Sequence, residues 1–123
     1  MIILIGIGGS LGAVTRWIIG KWMTNNHTNT KFPIGTFFIN VTGSFLLGFF
    51  FQLHASHIIS ETNWVIFAIG FLGSYTTFST FSYEALSLFL DNKKKLCILY
   101  ILSSTTISIL FAWFGTTLSK IFL

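Results

Sequence analysis

Acidic residues are almost missing from this chain: Glu61, Glu84 and Asp91 are the three in 123 residues. Charged side chains make up 8% of the sequence, against about a quarter in a soluble domain. No paired carboxylates, no Ser/His/Asp set and no glycine-rich phosphate loop after a strand can be assembled from what remains. The chain is therefore not read as an enzyme. One cysteine, Cys97, excludes an intramolecular disulfide. It lies in an apolar run and reads as a small packing residue. One proline, Pro33, stands where the first turn of a helix tolerates its missing N–H. The start Met1-Ile2-Ile3-Leu4-Ile5 has no basic segment and no small-x-small site after a short apolar core. The first apolar run is thus expected to be retained as a span, and no lipidation signature is present.

What is there is apolar. Hydrophobic residues form 53% of the chain, with a mean hydropathy of +0.80. A spanning helix needs about 20 such residues, so four spans nearly use up the sequence and leave a single domain, 1–123. The spans are predicted at Ile2–Met23, Pro33–Leu53, Trp64–Leu90 and Leu96–Phe122, joined by polar connections at Thr24–Lys31, His54–Asn63 and Asp91–Lys95. Trp17, Trp22, Trp64 and Trp113 lie towards span ends, as interfacial aromatics do. Net charge is +4, but its placement says more. With four spans, Lys21, Lys31, Lys93, Lys94 and Lys95 share one side, Arg16 lies near it, and Lys120 alone lies on the other. The positive-inside rule makes the lysine-rich side cytoplasmic and both termini external.

The third span is interrupted at Gly73-Ser74-Tyr75-Thr76-Thr77-Phe78-Ser79-Thr80-Phe81. Glycine and small hydroxyl residues make a poor helix. Non-helical backbone at membrane depth survives only where it is buried in protein or lines a polar cavity. Freed carbonyls can hold a cation, and new helix ends can face an ion. Two polar ladders accompany the break. Thr36, Asn40 and Ser44 recur every fourth residue on span two, as do Tyr100, Ser104 and Ser108 on span four. Each set falls on one helix face. Hydroxyls and amides can donate to a passing anion without trapping it, as conduction requires. Alternatively, the ladders are interhelical hydrogen bonds, worth about 0.6 kcal/mol each on average. Phe78 and Phe81 bracket the break, and phenylalanine ring edges are electropositive.

Small residues spaced as Gly8-x-x-x-Gly12, Gly9-x-x-x-Ala13 and Ser44-x-x-x-Gly48 allow close helix approach, within a subunit or between subunits. Arg16 can snorkel to the interface or face a helix C-terminus. Glu84 is the only acid inside a span: a proton carrier, a cation ligand or a partner for Arg16. His54 and His57 lack a third ligand and read as solvated.

The chain resembles the Fluc/CrcB fluoride channels over essentially its whole length. The resemblance is carried by Gly8-Gly9-Ser10-Leu11-Gly12-Ala13-Val14-Thr15-Arg16-Trp17, by Gly35-Thr36-Phe37-Phe38-Ile39-Asn40-Val41-Thr42-Gly43-Ser44-Phe45, and by Gly70 to Glu84 with its core Thr76-Thr77-Phe78-Ser79-Thr80-Phe81. It implies an all-α membrane protein of four transmembrane helices, the third broken near the midplane, assembled as an antiparallel dual-topology dimer. It implies a passive fluoride-specific channel of the bacterial inner membrane, exporting fluoride from the cytoplasm. A structural sodium ion would sit at the dimer centre on the backbone carbonyls of Gly73 and Thr76. Phe78 and Phe81 would line the pores, with Asn40 as the pore asparagine and Tyr100, Ser104 and Ser108 as the polar track. Arg16 and Glu84 match charged positions of the family motifs. The second subunit is a copy of this chain or a related chain of opposite orientation; the lysine bias suits the latter. The rival readings are a small proton-coupled multidrug exporter, disfavoured because span one carries no acid, and a non-conducting membrane assembly subunit.

Overall fold

The computed structural model describes residues 1–26 and 31–123. Among these the chain is wholly helical, in the order α1 (Ile2–Asn26), α2 (Ile34–Ala55), α3 (Glu61–Trp64), a π-helical segment (Val65–Leu72), α4 (Gly73–Tyr75), α5 (Ser79–Leu90) and α6 (Lys94–Ile121). Four stretches are long and apolar enough to cross a bilayer: α1, α2, the composite Glu61–Leu90, and α6. At about 1.5 Å per residue, all four exceed the roughly 30 Å hydrocarbon layer.

The helices outrun the apolar runs that announce them. α1 continues past Met23 through Asn26, and α6 begins at Lys94 rather than Leu96. Hydropathy marks what can sit in lipid, whereas helical hydrogen bonding continues into polar residues that reach water. Of the connection expected at Thr24–Lys31, residues 27–30 lie outside the described residues. The turns are built locally. Ser60 caps α3 by accepting from the Asn63 N–H at 3.2 Å, an N-cap arrangement. Asn92, before α6, takes φ 62°, a left-handed conformation that asparagine tolerates.

Close backbone approach holds the bundle together. A Cβ at Gly8 would collide with the Ile66 carbonyl, and one at Gly12 with the Phe71 carbonyl. The small face of α1 therefore seats against the π-helical segment. On the other side of the bundle, a Cβ at Gly48 would meet the Ala112 carbonyl and one at Gly115 the Phe45 carbonyl, so α2 and α6 pack at glycine distance. Thr116 Oγ1 donates to the Gly48 carbonyl at 3.2 Å across the same seam. These spacings thus act within the subunit. In lipid such contacts work through packing and hydrogen bonds rather than through the hydrophobic effect.

Two apolar centres result. One joins Ala85, Leu88, Cys97 and Tyr100 between α5 and α6, and Cys97 Sγ there donates to the Ala85 carbonyl at 3.2 Å. The other joins Ile39, Leu72 and Tyr75. Tyr75 Oη and Thr42 Oγ1 are 2.9 Å apart, which ties α4 to α2.

Candidate functional site

The helical ladder of the third span fails at three consecutive residues. α4 ends at Tyr75, Thr76 is extended with φ −78° and ψ 157°, and α5 begins at Ser79. Just upstream, the Val65–Leu72 turns are π-helical, a wide winding found frequently beside functional sites.

Side chains take over the hydrogen bonds that the backbone gives up. The Thr77 N–H, which in a continuous helix would donate to the Gly73 carbonyl, donates to Asn40 Oδ1 at 2.9 Å. Asn40 Nδ2 donates back to the Thr77 carbonyl at 2.8 Å. The main-chain donor and acceptor together settle which way this amide points. The Thr80 N–H, whose helical acceptor would be the Thr76 carbonyl, donates to Thr77 Oγ1 at 3.2 Å. Two carbonyls, those of Gly73 and Thr76, thereby lose their helical donors. Both residues line a cavity of about 310 Å³ together with Asn40, Ser44, Thr77 and Phe78.

Phe78 and Phe81 sit differently. Phe78 is 77% exposed, while Phe81 is half-buried. Their rings are 5.8 Å apart, and Phe81 lies 5.1 Å from the Tyr100 ring. The two phenylalanines thus run from the surface of the break inward to α6.

A second polar cluster lies behind them. Thr36 Oγ1 donates to Glu84 Oε1 at 2.5 Å. Tyr100 is fully buried, and its hydroxyl closes no hydrogen bond of acceptable geometry. Ser104 Oγ, one turn on, is likewise buried without a partner. Buried polar atoms are rarely left unpaired, and each exception asks for an explanation. Ser108, the third residue of that ladder, is half-buried. Ser44 donates to the Asn40 carbonyl at 2.7 Å within its own helix. Thr36, Glu84 and Thr80 also line a cavity of about 550 Å³ that includes Lys31, Tyr83 and Asp91.

Arg16 and Glu84 are not brought together. Among the described residues the one ion pair is His54 Nε2 to Glu61 Oε2 at 2.8 Å. Glu84 goes to Thr36 instead, and Arg16 lines a cavity of about 390 Å³ with Thr36, Thr77 and Thr80. His54, expected to be solvated, also stacks on Trp64 with centroids 4.8 Å apart; His57 is exposed. Sequence reasoning passed over Thr77, whose N–H, carbonyl and hydroxyl all serve the break. The signal was the doubled threonine at 76 and 77, which periodicity alone does not separate.

Comparison with known proteins gives a consistent picture. Residues 3–116 match the family described as CrcB-like protein, Camphor Resistance (CrcB). A protein of Clostridium acetobutylicum named fluoride-specific ion channel FluC 2 is 50% identical over 119 residues, covering 96% of this chain and 97% of that relative. A Bacillus cereus protein of the same name is 43% identical over 122 residues, covering 97% of each. The fluoride-specific ion channel FluC of Acidobacterium capsulatum is 40% identical over 112 residues, covering 90% of this chain and 89% of the relative.

Proposed function

This chain belongs to the CrcB family, and from that premise we infer that it is a fluoride-specific ion channel, a multi-pass membrane protein that lets fluoride leave the cytoplasm down its gradient. The family supplies the ion. The structural observation that carries the mechanism is the pair of buried, unpartnered hydroxyls of Tyr100 and Ser104, one helical turn apart on α6.

Fluoride is small and strongly hydrated, so each water it sheds must be replaced by a donor. Hydroxyl groups one helical turn apart on α6 can do this in succession, and because they carry no charge they bind weakly enough to release. A lone hydroxyl without a partner is ready to donate at no cost in broken protein hydrogen bonds. Phe78 and Phe81 offer electropositive ring edges from the break to Tyr100. In this reading Asn40 acts at the pore by holding the break in shape, since both ends of its amide engage Thr77.

The break falls midway along Glu61–Leu90, so it sits near the bilayer midplane. Unwound backbone there needs cover, and Phe78, at 77% exposed, has little of it within one subunit. A second subunit of opposite orientation supplies it, forming an antiparallel dual-topology dimer. The lysine-rich end faces the cytoplasm of a bacterial inner membrane and both termini face out. That bias favours a related chain of opposite orientation as the partner over a second copy. The donor set at the break fits a sodium ion: the carbonyls of Gly73 and Thr76 are hard oxygens released from helical bonding, and two subunits would double them. A sodium ion held there would contribute fixed positive charge and lock the unwound segment.

Fluoride efflux from liposomes tests the function, with the chain alone and with a candidate sister subunit. Efflux that is indifferent to a pH gradient supports a channel. Obligatory proton coupling would replace it with the exporter reading, and no efflux in either assembly would leave a non-conducting subunit.

A further inference from the structure

Three successive residues of the break are each held by one turn of α2. Thr77 is clamped by Asn40 through both ends of its amide. Thr76 seats on Gly43, where any Cβ would collide with the Thr76 methyl. Tyr75 reaches Thr42, with Oη and Oγ1 2.9 Å apart. The first two contacts shape the main chain directly, whereas the third acts through a side chain. The direction of that hydrogen bond follows from the other partners of Thr42. Its Oγ1 lies 2.8 Å from the Phe38 carbonyl and 3.2 Å from the Ile39 carbonyl. Carbonyls only accept, so they take the threonine proton and Tyr75 donates.

This donor sits in an otherwise apolar place. Tyr75 is 5% exposed. Its ring stacks on Phe71 with centroids 5.9 Å apart and packs with Ile39 and Leu72. A phenylalanine would fill the same space with no hydroxyl to satisfy, so packing alone gives no reason for tyrosine. Its place in the backbone gives one. Tyr75 is the last residue of α4 and lies between Gly73 and Thr76, the two residues whose carbonyls have lost their helical donors. The ring is held by Phe71 at its face and by Thr42 at its tip. The rotation of the main chain that carries it, and so the aim of both carbonyls, is thereby tied to α2. We propose that the Tyr75–Thr42 hydrogen bond aims these carbonyls at the cation of the break, which makes Tyr75 a positioning residue for that ion. The inference rests on the sodium reading. Without the bond the same oxygens remain, but they are no longer aligned before the ion arrives. Groups that orient a metal's ligands govern its affinity by about 10–100-fold.

A ligand that binds only the folded state stabilises it by mass action. Sodium should therefore raise the thermal midpoint of the assembled protein once its concentration passes the dissociation constant. The test follows that midpoint in sodium mixed with N-methylglucamine at constant ionic strength. Tyr75→Phe is expected to move the onset of the rise to about tenfold higher sodium. Thr42→Val and the double variant should show the same displacement, because all three lack one bond. The double variant leaves no hydroxyl stranded, so it carries the test where Thr42→Val alone fails to fold. Thr42→Ser keeps the acceptor and should titrate as the parent does. A bond of merely structural worth would lower the midpoint equally at every sodium concentration and leave the onset in place; that result overturns the proposal. So does a Thr42→Ser titration that matches the Tyr75→Phe one. A parent midpoint indifferent to sodium overturns the sodium reading itself, and the inference falls with it. Flux is not measured, so the outcome does not depend on which anion the assembly conducts.

Discussion

Both ends of the Asn40 side-chain amide close on the main chain of Thr77, with Nδ2 donating to its carbonyl at 2.8 Å and Oδ1 accepting from its N–H at 2.9 Å. One residue of α2 thereby replaces a turn of helix in the third span. Asn40→Asp keeps an acceptor for the N–H but turns an oxygen towards the Thr77 carbonyl. Loss of one buried partner costs about 1–3 kcal/mol. Fluoride flux should disappear and the detergent-solubilised protein should unfold earlier. Parental flux together with a parental unfolding midpoint would remove Asn40 from both roles.

Phe78 makes the opposite case. At 77% exposed it contributes little to the fold of one subunit, and a surface change of this sort stays within about 0.5 kcal/mol. Phe78→Ile is expected to abolish efflux while leaving the helical content and the thermal midpoint of the isolated chain unchanged. Wild-type efflux from this variant would take the exposed ring out of the ion path.

Tyr100→Phe separates conduction from stability. The Tyr100 hydroxyl is buried and unpartnered, so removing it relieves a desolvation penalty of about 1–3 kcal/mol. The variant should melt no lower than the parent, and higher if relief is complete, yet conduct less fluoride. A lower midpoint would mean that the hydroxyl has a structural partner after all.

The glycine seams predict a sharp contrast within α1. A Cβ at Gly12 runs into the Phe71 carbonyl, whereas nothing lies within 4 Å of one at Gly6. Gly12→Ala is expected to destabilise by about 1–3 kcal/mol through overpacking. Gly6→Ala should be neutral or stabilise by up to about 1 kcal/mol, because alanine is the better helix former. Denaturant titration of both in the same detergent decides; equal effects would contradict the seating of α1 on the π-helical segment.

Interaction with the Lys31 side chain, partial desolvation and the like charge of Lys31 outweigh the attraction of Asp91 and hold the Lys93 amine below the usual lysine range. In the window between that depressed value and the ordinary one near ~10.4, the unfolded chain binds more protons than the folded one. Stability therefore rises with pH there. Lys31→Gln should flatten that slope, as read from unfolding midpoints across the window. A slope that survives the substitution would place its origin elsewhere.

The apolar runs and their charged ends determined four spans, and the one stretch of small hydroxyl residues marked where the third departs from helix. These follow from local chemistry: lipid demands long apolar helices, and within that stretch the helix lapses at Thr76 to Phe78. The family motifs were equally legible, because they are runs of adjacent residues. Glu84 shows where that legibility stopped. Its sequence allowed a proton carrier, a cation ligand or a partner for Arg16, and packing gave it to Thr36 on a neighbouring helix. The π-helical winding before the break and the Thr77 clamp were likewise decided only in three dimensions. Each depends on how far one helix slides and turns against another, and that is set by glycine contacts such as Gly12 on Phe71 and Gly48 on Ala112. A helix carries its own periodicity in its sequence, but its register against a neighbour is a property of the pair.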